Sequence, residues 1–362
     1  MALLFRMPAH YLVQLGRQPV FFVSNRGQRA CAGNSLSTVE QYISRIGVRV
    51  LRSEHIAVVG AGLMGHAIAQ IFAVKGHEVI LFDTDAKAVT DAIIRIRSNL
   101  SVLSEHGCGL QEEIDRTIDR IKPADNLKEA VAAARFVVEA VTENLEVKQN
   151  LFQEMEVYCS PITILATNTS VIGISQIAAK TKAKERVVGT HFWNPPYLIP
   201  LVEVTGGSDT LTEVKDYTCN LLKSMGMHPV LVKKDVPGFV GNRLQHALWR
   251  EAIAIVEYGI ADPKTVDEVI KKGFGIQLSV QGPLEKADME GLDLTFMIQS
   301  NILKFMECSP SPSAFLSQKL KSGELGFKTR QGFYSWDEER IWKYREDIVK
   351  HLVRWNRESS SE

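Results

Sequence analysis

Short apolar runs that close on small or polar residues recur between residues 54 and 235, and helix-period patterns replace them after Pro237. Ile56–Val59 is the first run, and Glu78–Phe82 the second, ending at Asp83. Between them Met64, Ile68, Ile71 and Phe72 fall on one helical face, with Gly76 placed to end that helix. Further strands are expected at Phe136–Val141, Ile162–Ala166, Arg186–Thr190, Ile199–Val204 and His228–Val232. Helical patterns separate several of them, which predicts an α/β fold with a mostly parallel, doubly wound sheet. Beyond Pro237, Leu244, Leu248, Ala252 and Ile255 mark a long amphipathic helix. Asp262-Pro263 reads as an N-cap with a first-turn proline, and Gly273 as the stop of that helix. The division expected is a nucleotide-binding unit over 54–235, a smaller all-helical unit over 236–345, and a tail over 346–362.

The first strand runs into Gly60-Ala61-Gly62-Leu63-Met64-Gly65. Gly60 allows a tight turn, Gly62 lets the backbone approach a pyrophosphate, and Gly65 permits close helix–strand packing. The helix N-terminus then presents free N–H groups to the phosphate charge. Alone such a spacing is weak; between strand and helix, with an acid at the end of the next strand, it is a Rossmann signature. Asp83 is placed to accept from ribose hydroxyls and to repel a 2′-phosphate, and Thr84-Asp85 offers no arginine, so NAD is expected rather than NADP.

Ligands of such sheets bind beyond the strand C-terminal ends. Polar residues gather there: Glu143, Asn144 and Lys148, then Thr167-Asn168-Thr169-Ser170, then His191 and Asn194. Ser170 also reads as an N-cap for a helix starting near Val171. Glu203 lies among Leu201, Val202 and Val204, where a carboxylate needs a partner, and a nearby imidazole supplies one. Such a pair suits oxidation of a secondary alcohol, because neutral imidazole takes the hydroxyl proton while hydride leaves. The pattern alone leaves open a satisfied core histidine and a solvent-facing glutamate.

Composition narrows the partners. Among 362 residues, 42 basic and 42 acidic side chains leave no field to draw nucleic acid or an anionic membrane. No apolar run approaches a membrane span. The five cysteines, Cys31, Cys108, Cys159, Cys219 and Cys308, have no metal-ligand spacing and suit a reducing compartment; no metal is expected. Residues 1–53 hold Arg6, Arg17, Arg26, Arg29, Arg45, Arg49 and Arg52 against Glu40 alone. That is the composition of a transit peptide or of an unstructured extension, and Phe21-Phe22-Val23 is too short for a secretory core. A cytoplasmic location is expected, with the mitochondrial matrix as alternative if this segment is a transit peptide.

Residues 54 to about 335 resemble the short-chain L-3-hydroxyacyl-CoA dehydrogenases, including the 3-hydroxybutyryl-CoA enzymes. The resemblance rests on the glycine turn, Val137-Val138-Glu139-Ala140-Val141-Thr142-Glu143-Asn144, Thr167-Asn168-Thr169-Ser170 and the His191/Asn194-Pro195/Glu203 set. It continues through Asp235-Val236-Pro237-Gly238-Phe239-Val240-Gly241-Asn242-Arg243, Gly282-Pro283-Leu284 and Gly326-Phe327-Lys328-Thr329-Arg330-Gln331-Gly332-Phe333-Tyr334. It implies His191 as general base, Glu203 as its partner, and Ser170 and Asn242 as groups on the reacting oxygen. It implies contacts of Gly60, Gly62, Leu63, Met64, Gly65, Asp83, Glu143, Lys148, Asn194 and Lys328 with NAD or substrate, and a homodimer built on the helical unit. The family's helix after the second strand offers a serine and lysines to CoA phosphates. Here Arg95–His106 has no lysine, and its arginines read as a solvated face. The Asn194–Glu203 stretch also resembles relatives that oxidise free hydroxy acids of gulonate or carnitine type, which is the alternative substrate class. A third reading is a non-catalytic, crystallin-like protein that keeps the dinucleotide site.

Overall fold

The computed structural model describes residues 53–109 and 111–359, so the Arg-rich segment, Ser53 apart, lies outside the described residues. Strand β1 (His55–Val59) leads through the glycine turn into α1 (Gly65–Val74), then β2 (Glu78–Phe82) and α2 (Ala86–Glu105). α3 (Glu113–Asp119), β3 (Ile121–Pro123), α4 (Leu127–Ala132), β4 (Phe136–Glu139), α5 (Leu145–Tyr158) and β5 (Ile164–Thr167) follow. After the short α6 (Ile174–Ile177) come β6 (Val187–Phe192), β7 (Leu201–Gly206), α7 (Thr212–Ser224) and β8 (His228–Val232). Among the described residues these strands form one sheet in the order β3-β2-β1-β4-β5-β6-β7-β8, parallel throughout except at β6–β7. The chain is therefore a Rossmann-type α/β sheet followed by helices: α8 (Gly241–Glu257), α9 (Pro263–Lys272), α10 (Pro283–Glu290), α11 (Leu292–Ile302), α12 (Ala314–Lys321) and α13 (Glu338–Ser359). Apolar cores cover both sheet faces, one around Phe72, Phe136 and Tyr217, the other around Val137, Phe152 and Leu165.

Local chemistry starts and stops these helices. Asn144 caps α5 by accepting the Val147 N–H at 3.1 Å. Asp262 caps α9 through the Thr265 N–H at 2.7 Å, with Pro263 in the first turn and Gly273 at the end, as expected. Four expectations change. β3 was missed: three residues ending in proline give no periodic signal, and proline is tolerated because β3 is an edge strand. Strands β4 to β7 keep their order but shift by up to two residues from the expected bounds. Ser170 caps no helix, because α6 starts at Ile174 with Gly173 as N-cap, and the Thr169 hydroxyl turns the chain by accepting the Ile172 N–H. Residues read as a tail from 346 belong to α13, which packs Val353 against Leu103 and Leu198. There the Asn356 amide donates to the Leu198 carbonyl at 2.8 Å and the Arg357 guanidinium donates to the His106 carbonyl.

Candidate active site

The antiparallel register of β6 and β7 sets His191 directly opposite Glu203. Side chains so paired share one face of a sheet. His191 Nδ1 lies 2.8 Å from Glu203 Oε2, with the histidine 6% and the glutamate 1% exposed. The other oxygen, Oε1, accepts the Val240 and Gly241 N–H groups at 2.9 Å each. Helix α8 has no cap from its own chain neighbours, so a strand carboxylate satisfies its first donors and sits in its positive end. Burial pushes the Glu203 carboxyl up, but His191 and the two backbone donors outweigh it, and the group is held below the usual carboxylate range. An ionised carboxylate at Nδ1 assigns the proton to that nitrogen and leaves the Nε2 lone pair as acceptor.

Aromatic walls enclose the imidazole. The Trp193 and Phe239 ring centroids lie 5.6 and 5.7 Å from that of His191. Phe239 has φ of 46°, a left-handed conformation that strains a bulky residue, and it follows Gly238 at φ 75°. The strained turn delivers Phe239 to the site wall and aims the Val240 and Gly241 N–H groups at Glu203. Gly241 has no substitute: a Cβ there falls 2.3 Å from Trp193 Cζ2.

Beside this pair the β5 end is tied to two neighbours. Asn168 Oδ1 accepts the Phe192 N–H at 2.9 Å, joining it to the residue after His191. The Asn242 amide donates to the Ser170 carbonyl at 3.1 Å, so the two residues expected near the reacting oxygen are neighbours in space. Glu143 Oε1 accepts the Ser170 and Val171 N–H groups, at 3.0 and 3.3 Å, and the Thr169 hydroxyl. The Ser170 hydroxyl itself has no hydrogen-bond partner among the described residues and remains available at the rim.

The glycine turn is a formed cradle. A Cβ on Gly60 falls 2.6 Å from the Ala140 carbonyl oxygen, and one on Gly65 falls 1.7 Å from that of Gly60. Gly62 instead has open space on that side, as a surface receiving a pyrophosphate requires. Leu63 is exposed, while Met64 packs on the core. Asp83 Oδ2 accepts the Ala61 N–H at 2.7 Å, which fixes the turn and leaves further acceptor capacity on the carboxylate. Arg95 was expected on a solvated face, yet its guanidinium donates to the Ala61 carbonyl at 2.8 Å. These residues fit the adenosine diphosphate half of NAD.

Other candidates sit differently. Asn194 is exposed at the rim, before a cis peptide to Pro195. Lys148 is 1% exposed and bonded to Glu139, so it faces carboxylates beneath the rim rather than the open cleft. Lys328 is exposed on the turn closed by Gly326 and Gln331, and the structure gives it no hydrogen bond to the His191 group. Glu139, Trp193, Phe239 and the α8 backbone donors were not singled out from sequence. A carboxylate inside Val137-Val138-Glu139-Ala140-Val141 is a signal for Glu139 alone; backbone donors leave none. Among the described residues, no group of three or more His, Cys, Asp or Glu side chains is placed to hold a metal ion.

Family models cover both halves: residues 55–236 match the 3-hydroxyacyl-CoA dehydrogenase NAD binding domain, and residues 238–336 the C-terminal domain of the same family. The chain belongs to the 3-hydroxyacyl-CoA dehydrogenase family. It is an NAD-dependent oxidoreductase. It is 38% identical over 293 residues to the 3-hydroxyadipyl-CoA dehydrogenase of Escherichia coli, covering 80% of this chain and spanning 61% of the length of that relative. It is 31% identical over 299 residues to the 5-formyl-3-hydroxy-2-methylpyridine 4-carboxylate 5-dehydrogenase of Mesorhizobium japonicum, covering 83% of this chain and 96% of that one. A crystal structure of an enzyme of that pyridine-carboxylate activity, described as an NAD+-dependent dismutase, superposes with a TM-score of 0.78 at 32% identity, covering 84% of this chain and 97% of the other.

Proposed function

We propose that the chain interconverts an L-3-hydroxyacyl-CoA and the 3-ketoacyl-CoA. The observation that carries this reading is His191 held through Nδ1 by Glu203, with Nε2 left as acceptor at the rim of the nucleotide-binding sheet. NAD, when bound, accepts the hydride. His191 Nε2 takes the hydroxyl proton in oxidation and returns it in reduction. Glu203 stabilises the imidazolium as it forms, and the Val240 and Gly241 N–H groups stop the carboxylate from rotating away. The Ser170 hydroxyl and the Asn242 amide are assigned to the reacting oxygen, with Trp193 and Phe239 keeping water from the imidazole. Gly60, Gly62, Leu63, Met64, Gly65 and Asp83 are assigned to the adenosine diphosphate, and Glu143, Asn194, Lys328 and, through Glu143, Lys148 to the nicotinamide side.

The match of both halves and the name of the Escherichia coli relative support a CoA thioester. A second reading, a free hydroxy acid, is favoured by the likeness to the pyridine-carboxylate enzyme and by the occupied side chains of α2. Arg97 pairs with Asp115 at 2.6 Å, and Asn99 bonds Gln70 and Tyr197. NADH formation from 3-hydroxybutyryl-CoA against free 3-hydroxybutyrate decides between them. The thioester is expected to show a kcat/KM at least about a hundredfold higher, since binding energy from the remote handle is spent at the reacting centre; equal or faster turnover of the free acid overturns the CoA reading.

A homodimer through the helical half is also proposed. Leu284, Phe296 and Phe305 are largely exposed there, and apolar patches of this kind on a folded chain mark interfaces. No helix among the described residues is long and apolar enough to cross a membrane. The compartment proposed is the cytoplasm, with the mitochondrial matrix as the alternative if residues 1–53 are a transit peptide; the mass of the mature N-terminus reads whether that segment is removed.

A further inference from the structure

At and beneath the rim lies an ion triad, with Glu139 and Lys148 buried and Glu143 exposed, that the proton-transfer chemistry does not use. Glu139 ends β4 and is fully buried; Lys148 stands in the first turns of α5; Glu143 lies in the connection between them. Lys148 Nζ is 2.6 Å from Glu139 Oε1 and 3.3 Å from Glu143 Oε2. Glu139 also accepts the Val141 N–H at 2.7 Å and the Thr167 hydroxyl at 2.6 Å. Burial lifts the Glu139 carboxyl above the ordinary carboxylate range, and Lys148 with these donors opposes that rise without cancelling it. Glu143 is held below the usual range: its partial burial is outweighed by Thr169, Lys148 and the Ser170 and Val171 N–H groups. Each hydrogen bond to these carboxylates is donated by the partner, the arrangement that favours the charged form. On this geometry, with both carboxylates ionised on one ammonium, the triad holds one negative charge in excess.

Strand order says what meets that charge. β1 carries the pyrophosphate turn and β6 carries His191, with β4 and β5 between them. Neighbouring strands lie about 4.8 Å apart, so a cofactor reaching from the turn to His191 spans about 14 Å across the ends of β4 and β5. Glu143 and the 167–170 segment form that part of the rim. The oxidised nicotinamide ring is a cation and the reduced ring is neutral. We propose that the Glu139–Lys148–Glu143 triad supplies the counter-charge to the oxidised ring and so shifts the cofactor preference of this chain toward NAD+ over NADH. This rests on NAD lying along the rim as assigned above, and it needs neither His191 as base nor a CoA substrate.

The test is equilibrium binding without substrate, using NADH fluorescence enhancement and NAD+ calorimetry on the full chain. Glu139→Gln removes the charge and keeps the shape beneath the rim; Glu143→Gln removes the same charge at the rim and serves if the first variant does not fold. Either is expected to raise the NAD+ to NADH ratio of dissociation constants about tenfold, the effect of one unit charge at a half-buried site. Thr167→Val disturbs the same network without changing charge and is expected to move both constants together. A Gln variant whose two constants change by the same factor overturns the proposal and leaves the triad a positioning element. A wild-type chain that binds neither nucleotide overturns the assigned NAD site and the proposal with it, whereas normal binding without thioester turnover counts against the substrate reading alone.

Discussion

Phe72, Phe136 and Phe152 are fully buried in the sheet half, whereas Phe296 and Phe305 in the helical half are 74% and 78% exposed. The sheet half closes two cores from its own strands and helices. Helices α8 to α12 bury one side chain completely, Ala254, although their sequences are as apolar-patterned as α1 or α5. Under the proposed homodimer, the difference separates two uses of an apolar face: to fold a chain, and to meet another. The site joins both, because the Glu203 carboxylate from β7 holds the first N–H groups of α8. The carboxylate that holds His191 is thus itself held by the start of the helical half, and the proposed base depends on that junction.

Glu203→Gln breaks that junction most severely. The amide cannot satisfy two backbone N–H groups and the Nδ1–H at once, so kcat is expected to fall about a thousandfold, within the usual range for losing a general base. Steady-state turnover at saturating NAD measures it, and a loss below tenfold would separate the pair from the chemistry. Gly65→Ala attacks the sheet half alone: its Cβ overlaps the Gly60 carbonyl, so NAD affinity is expected to fall about a hundredfold, read by calorimetry, with the helical half still folded. Phe296→Glu attacks the helical half alone and is expected to weaken self-association at least tenfold, about 1.4 kcal/mol or more, by sedimentation velocity. An unchanged dimer would move the interface away from this face. Val353→Ala loosens α13 from α2 and is expected to cost about 1–2 kcal/mol in denaturant unfolding, since a buried valine loses its contacts.

The smallest effect is on acid stability. Glu203 has a lowered folded pKa, so its contribution is complete above its unfolded value of about 4.3 and disappears as the pH falls through the folded value. The stability difference between the wild type and Glu203→Gln should therefore be constant at neutral pH and shrink only below pH 4–5, in thermal melts against pH.

The parts legible in sequence were those with a local rule. The glycine turn, the Asp262-Pro263 helix start and the order of the long strands follow from spacing, and His191 and Glu203 stood out as polar residues on apolar strands. Their pairing was expected from the apolar surroundings of Glu203 and from the family resemblance, but the pattern alone left it open, because the contact depends on an antiparallel β6–β7 register that tertiary structure sets. Glu139 was visible as a carboxylate in an apolar strand, yet its partner is nine residues on, across a turn into α5. The N–H groups that hold Glu203 belong to backbone and have no sequence signature. The end of α13, expected as a tail from residue 346, docks on Leu103 and Leu198, a contact between segments far apart in the chain.

The central claim is that His191 is the proton acceptor, oriented by Glu203 and independent of cofactor binding. Turnover of His191→Ala measured beside its NAD dissociation constant tests it most directly. The account predicts a kcat lower by about a thousandfold with an NAD constant within about twofold of wild type. Turnover within tenfold of wild type, at unchanged NAD affinity, would contradict it and require another base at this rim.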